Sequence, residues 1–244
     1  MSLIISCGIE DYIYLDPVPS GNVTNPTSNV INITLMNTST ETYFRYYSIY
    51  YRIYLSNEAT SGSISEAQMS LINSTLYSDY SVIKPYTNVT STTDISPANI
   101  EYIFRTRNYN KITIESADIE TVLNKTNTSV PSPQLMVLDF QEYNTNSMPT
   151  MTLNGATYVL TRSLDSGTLN PRPAGDFSFR NSTDIRDINY ISNNLDVQRN
   201  TNDSTTLCYI SLYILKVGAD NNWSPVYSFP TFAGVYSLPN NSMN

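Results

Sequence analysis

The sequence predicts a mostly-β chain: an antiparallel β-sandwich of the jelly-roll or immunoglobulin-like kind, with two short helices. Three observations predict it. Segments rich in Val, Ile, Thr and Tyr recur along the chain. Thirteen prolines punctuate them at intervals that suit ordered turns. Helical spacing of apolar residues occurs in two short places only, which suits caps on a sandwich rather than the crossovers of a parallel sheet.

The elements follow in order. Residues 29–36, Asn-Val-Ile-Asn-Ile-Thr-Leu-Met, are β-branched and alternate, hence a strand. Residues 43–55 are the most strand-prone stretch. With period two, one face reads Tyr43, Arg45, Tyr47, Ile49, Tyr51, Ile53 and Leu55, the other Phe44, Tyr46, Ser48, Tyr50, Arg52 and Tyr54. Both faces are large, so both should be covered, one by a second sheet and the other by another element or chain. Ser63-Ile64-Ser65-Glu66 is a capping box, and the apolar spacing that follows to Leu76 predicts the first helix. Residues 100–106 and 111–115 flank Arg107-Asn108-Tyr109-Asn110 and read as a hairpin. Ser116 to Ile119 opens a shorter helix with Ile119, Val122 and Leu123 on one face. Residues 134–143 form another strand. Within 150–162, Asn154-Gly155 is the strongest short hairpin signal in the chain. Residues 205–217 and 223–229 form a late pair across Gly218 to Asn222.

The chain has 244 residues, no composition break and no Gly-rich linker, which fits a single mostly-β domain spanning 1–244. Termini that extend to dock on neighbours remain open, since the tail from Ser237 to Asn244 is polar.

Charge narrows the function classes. The net charge is −8, and the 13 basic residues are scattered, with no cluster denser than Arg105-Thr106-Arg107. Phosphate contacts dominate nucleic-acid affinity, so this pattern argues against direct nucleic-acid binding and against anionic membranes. No run approaches the roughly 18 apolar residues of a membrane helix.

The absence of His removes Ser-His-Asp and Cys-His constellations and the usual imidazole acid/base. No GxGxxG or GxxxxGK[ST] is present. A glycosidase needs only two carboxylates, and Glu101, Glu115, Asp139 and Glu142 are available. Asp139 and Glu142 would point to opposite faces of a strand, so solvated edge carboxylates are the simpler reading. The expectation is therefore a protein without enzymatic activity and without a cofactor. Asp184, Asp187 and Asp220 to Asn222 offer oxygen ligands for calcium, but none matches a spaced calcium loop, so no metal is expected. Cys7 and Cys208 read as two buried thiols, and a bridge stays open if the first and a late strand are neighbours. N-x-[ST] sequons are numerous, but so many Asn, Ser and Thr produce them by chance.

Ser, Thr and Asn make up 87 of the 244 residues, and there are 20 Tyr. Such polar, uncharged, Tyr-rich surfaces suit shells, fibres and adhesins, whereas Met1 to Asp11 shows no basic n-region and no long apolar core of a secretion signal. In style alone the chain resembles virion structural proteins. The expectation is a capsid, neck/collar or phage tail component located in the virion, assembled in the host cytoplasm. It would work as a homo-oligomer with copies of itself and other virion proteins. The alternative is a carbohydrate-binding adhesin or lectin-like domain supplied without its leader. Tyr in strands more readily reads as sheet core than as a docking surface. An interface would fall on Tyr46, Tyr50, Arg52 and Tyr54 of one strand face, and on Trp223, the sole Trp.

Overall fold

Alternation in the sequence becomes alternation in burial. In β2 (Val30–Leu35), Ile31, Ile33 and Leu35 are buried while Val30, Asn32 and Thr34 stay half-exposed. In the computed structural model, which describes residues 15–27, 29–36, 38, 40–56, 100, 103–104, 107–128, 133–140, 148–162, 179, 197–199 and 207–238, the same pattern runs across neighbouring strands. β5 (Gln134–Asp139) and β6 (Thr150–Leu153) repeat it, while β1 (Val23–Thr27) keeps only Val23 half-buried ahead of exposed Thr24 to Pro26, and β7 (Ala156–Arg162) runs from exposed to buried along its length. The register aligns Val23, Ile33, Met136 and Leu153 in one inward row, and Ile31, Leu138, Met151 and Tyr158 in another. A one-residue slip would turn every one of these rows outward, so the apolar pattern fixes the pairing.

The second wing is built on β3 (Phe44–Ser56) and β9 (Leu207–Ala219), paired antiparallel along their length. β10 (Pro225–Tyr227) and β11 (Thr231–Leu238) flank β9, and β8 (Val197–Arg199) adds a short parallel pair to β3. The wings meet at β4 (Asn110–Ile114). Its first two residues pair with β3, and Ile112 to Ile114 pair with β7. β4 thus turns the corner, and the strands form one continuous, mostly antiparallel sheet curled into a half-barrel.

Side-chain bonds tie the free edges of the curl together where no ladder does. The Tyr236 hydroxyl of β11 lies 2.7 Å from the Asn25 side-chain oxygen of β1 and also meets the Ala233 carbonyl. Thr231 donates to the Val18 carbonyl. Burial pushes the Tyr236 phenol above its ordinary range, which keeps it a neutral donor.

β3 is covered on both sides, as its two large faces require. Tyr47, Ile49, Tyr51 and Ile53 line the inside of the curl with Ile210, Leu212 and Ile214 of β9. Tyr50 and Tyr54 join Tyr209, Tyr213, Ile100, Phe104 and Tyr109 in a second core on the outer side. Burying Ile49 and Ile53 contributes about 1.5–3 kcal/mol each. Phe44 departs from strict alternation: the register shifts between Phe44 and Tyr46, and Phe44 turns inward to meet Tyr47 at a ring separation of 4.9 Å. A bulge of this kind inserts one residue and reverses the facing of those before it.

The outer core corrects one expectation. Residues 100–106 were expected as a strand, yet Ile100, Ile103 and Phe104 are helical. Arg107 N–H donates to the Ile103 carbonyl and Tyr109 N–H to that of Phe104, at 3.1 and 2.8 Å. Ile100, Ile103 and Phe104 recur at helical spacing, so a single helical face buries Ile100 and Phe104 and packs the half-buried Ile103 against the same cluster, which a strand could not do.

On the described residues, strands are found at the other expected stretches: β2, β3, β4, β5, the β6–β7 hairpin, and the late pair β9 and β10. The shorter helix is α1 (Ile119–Val122), capped by the Asp118 carboxylate on Glu120 N–H, with Ile119, Val122 and Leu123 buried. It is followed by α2 (Lys125–Thr128). The capping-box helix from Ser63, the Cys7 thiol and the Asp184–Asp187 pair lie outside the described residues.

Candidate functional site

Two breaks in regular backbone converge on one exposed pair of side chains. The first is the β9–β10 turn. The Asp220 carboxylate accepts from the N–H groups of Asn222 and Ser224, at 2.8 and 2.7 Å. Asp220 N–H donates to the Ser224 carbonyl, and Trp223 N–H donates to the Asp220 carbonyl, at 3.0 and 3.1 Å. This closed network holds Trp223 at φ 65°, a left-handed conformation that is an outlier for so bulky a residue. The residue is 80% exposed.

The second break is the β3 bulge. Alternation alone would put Arg45 on the inward face with Tyr47. The register shift releases it outward, and its guanidinium carbon sits 5.7 Å from the centre of the Trp223 ring.

The strands beneath hold these two breaks together. Ala219 N–H donates to the Tyr43 carbonyl at 3.0 Å, and any side chain at Gly218 would overlap that same carbonyl. Behind it, Lys216 is buried and its ammonium pairs with Glu41 Oε1 at 2.5 Å. Lys125 Nζ donates to the Glu41 carbonyl at 2.5 Å. Tyr47 donates to the Met36 carbonyl at 3.3 Å; burial, and after it the Glu41 charge, raises its phenol above the ordinary range. The segment before β3 is thus pinned from three directions under the Arg45–Trp223 pair.

The other candidate interface residues are placed differently. Tyr50 is buried and stacks on Phe104 at 4.4 Å and 14°. Tyr54 is fully buried, with its hydroxyl 3.4 Å from that of Tyr109, which in turn lies 3.2 Å from Ser211 Oγ. Arg52 is 5% exposed, over the Tyr54 ring at 5.2 Å. Tyr46 is half-buried against the same cluster. The helical segment and Tyr109 cover this face from within the chain, so Tyr50, Arg52 and Tyr54 act as core. Trp223 alone among the five stands free of the core, and Arg45, absent from the sequence-based set, is its companion. The signal for Arg45 was a cation interrupting an otherwise apolar inward face.

The two candidate carboxylates among the described residues, Asp139 and Glu115, do not pair. Asp139, Thr150, Val159 and Glu115 succeed one another across the sheet, with Glu115 N–H donating to the Val159 carbonyl. Three strand spacings put Asp139 and Glu115 about 14 Å apart along the backbone, beyond the separations a glycosidase uses. Glu101 and Glu142 lie outside the described residues. Among the described residues no group of three or more His, Cys, Asp or Glu is placed to hold a metal. Asp220, a candidate calcium ligand, spends its carboxylate on the two backbone N–H groups of its own turn. Among the described residues, no helix is long and apolar enough to cross a membrane. Searches of protein-family models, of curated proteins and of solved structures find nothing that matches this chain.

Proposed function

We propose that the chain is a non-enzymatic structural subunit that works by assembly, as a capsid, neck/collar or tail component of a virion. Its partners are copies of itself and other virion proteins, and the two wings of the curled sheet serve as the layers of a sandwich from which contact loops project. The observation that carries this reading is the Arg45–Trp223 pair: two backbone irregularities serve to hold an aromatic ring and a cation at the surface. Trp and Arg are the residue types that dominate protein–protein contact energies. The wider composition, polar and Tyr-rich with few charges, agrees with repeated contacts between identical subunits.

The test is the solution mass of the full-length chain by light scattering across low micromolar concentrations, followed by electron microscopy. A discrete ring-sized or larger oligomer supports assembly. A monomer that also fails to enter any purified particle counts against it.

The same exposed ring favours a second reading, sugar stacking on the open face of Trp223, in a carbohydrate-binding domain. Saturable glycan binding by the monomer, lost in Trp223→Ala, would favour that reading over assembly.

A further inference from the structure

We infer that the Arg45–Trp223 pair docks on a second copy of this chain, against the acidic turn between β4 and α1, in a reciprocal two-fold contact. The inference rests on the assembly reading and names the surface and the partner.

Charge selects the occupant. The chain carries a net charge of −8, so two copies repel each other unless a cation of one meets a carboxylate of the other. Among the basic residues whose side chains are described, Arg45 alone is exposed. Arg52, Arg162 and Lys216 are buried, while Lys111 pairs with Glu120 at 3.2 Å and Lys125 with the Glu41 carbonyl. The described exposed carboxylates are Asp16, Glu115 and Asp118. Two of these three flank the β4–α1 turn, where Ser116 holds φ 61° and Glu115, Ser116, Ala117 and Asp118 are all exposed. Asp118 is occupied in capping α1, so Glu115 is the carboxylate the turn has to offer.

Topology selects the symmetry. β4 pairs antiparallel with β3 at Tyr50–Lys111, heading toward the start of β3, then leaves it for β7, and the chain comes back beside the start of β3 just after the turn and α1. Tyr47 N–H donates to the Leu123 carbonyl, and Tyr46 bridges to Asn124. The acidic turn and Arg45 therefore share one end of the molecule. Complementary patches at the same end suit a closed isologous pair, in which each patch is used twice, better than a head-to-tail filament.

The test uses charge reversal on the full-length chain, read by sedimentation at low salt. Arg45→Glu and Glu115→Lys should each weaken self-association at least tenfold. The double variant should recover most of it, since a two-fold contact restores both opposite-charge pairs at once. Trp223→Gly should abolish association while leaving the thermal midpoint unchanged, which separates lost contact from lost fold. Salt near 1 M should weaken the wild-type contact, because the Debye length falls to about 3 Å. Association that survives both Trp223→Gly and Arg45→Glu overturns this contact and leaves assembly through another surface standing. Single reversals that weaken association without recovery in the double variant overturn Glu115 as the counter-charge. A wild-type chain that stays monomeric at low salt overturns the self-contact, and glycan binding under those conditions would overturn the assembly reading with it.

Discussion

Among the described residues, two hairpin turns use left-handed backbone, and they use it in opposite ways. Between β6 and β7, Asn154 and Gly155 adopt φ 53° and 78°, a primed turn made by residues that accept positive φ readily. Between β9 and β10, Trp223 adopts φ 65° although its side chain resists it, and Asp220 binds two backbone N–H groups to hold it there. In the first turn local chemistry and global fold agree, and the turn is architecture. In the second they conflict, and the conflict places the ring of an 80% exposed residue beside a cation. Conflicts of this kind gather at sites under a demand other than folding.

The contrast can be broken or sharpened by substitution. The largest effect is expected beneath the second turn. Glu41→Ala strands the buried Lys216 ammonium; because Glu41 keeps a quarter of its side-chain surface, the loss falls at the lower end for broken buried pairs, about 3 kcal/mol. Urea unfolding measures it, and adding Lys216→Met should return most of the loss. Gly218→Ala forces a methyl group against the Tyr43 carbonyl and should cost about 2 kcal/mol, with loss of the Arg45–Trp223 contact visible as a change in Trp fluorescence. Gly155→Ala at the first turn should cost about 1 kcal/mol, since φ 78° suits glycine and little else, again by urea unfolding.

Trp223→Gly at the second turn should do least. Relief of the left-handed strain, about 1 kcal/mol, offsets the flexibility of glycine and the loss of an exposed cation–π contact. A thermal midpoint within about 2 °C of wild type is expected. A drop of 5 °C or more would make Trp223 a structural residue and erase the contrast between the turns.

The same contrast explains what the sequence disclosed. Asn154-Gly155 was legible because its turn chemistry is local. The two-sided burial of β3 was legible because Tyr47 to Tyr54 leave no polar face. Ile119, Val122 and Leu123 were legible from helical spacing. What stayed hidden depends on partners distant in the chain. β1 contains Pro26, which reads as loop until an edge position is known. β11 carries strand-prone residues between Pro230 and the polar tail from Ser237, and goes unassigned until β9 supplies its ladder. Ile100 to Phe104 are apolar enough for a strand, and only a second core beside them makes one helical face the better burial. Arg45 was assigned to the wrong face because a bulge is a property of the pair of strands. Trp223 was singled out, but nothing near it in sequence says whether its ring is covered.

The bonds that close the curl also set the order in which the molecule can form. Asn25 and Tyr236 are 211 residues apart, and Val18 and Thr231 are 213 apart. The ladder joining β3 to β9 is similarly remote. Contacts this distant meet only after most of the chain has given up its freedom, while the β6–β7 turn closes within a few residues. Refolding should therefore show an early hairpin and a slow final docking of the β9–β11 unit. Until that step, the edges of β3 and β9 are open to strands from other copies, so the yield of native protein should fall as chain concentration rises.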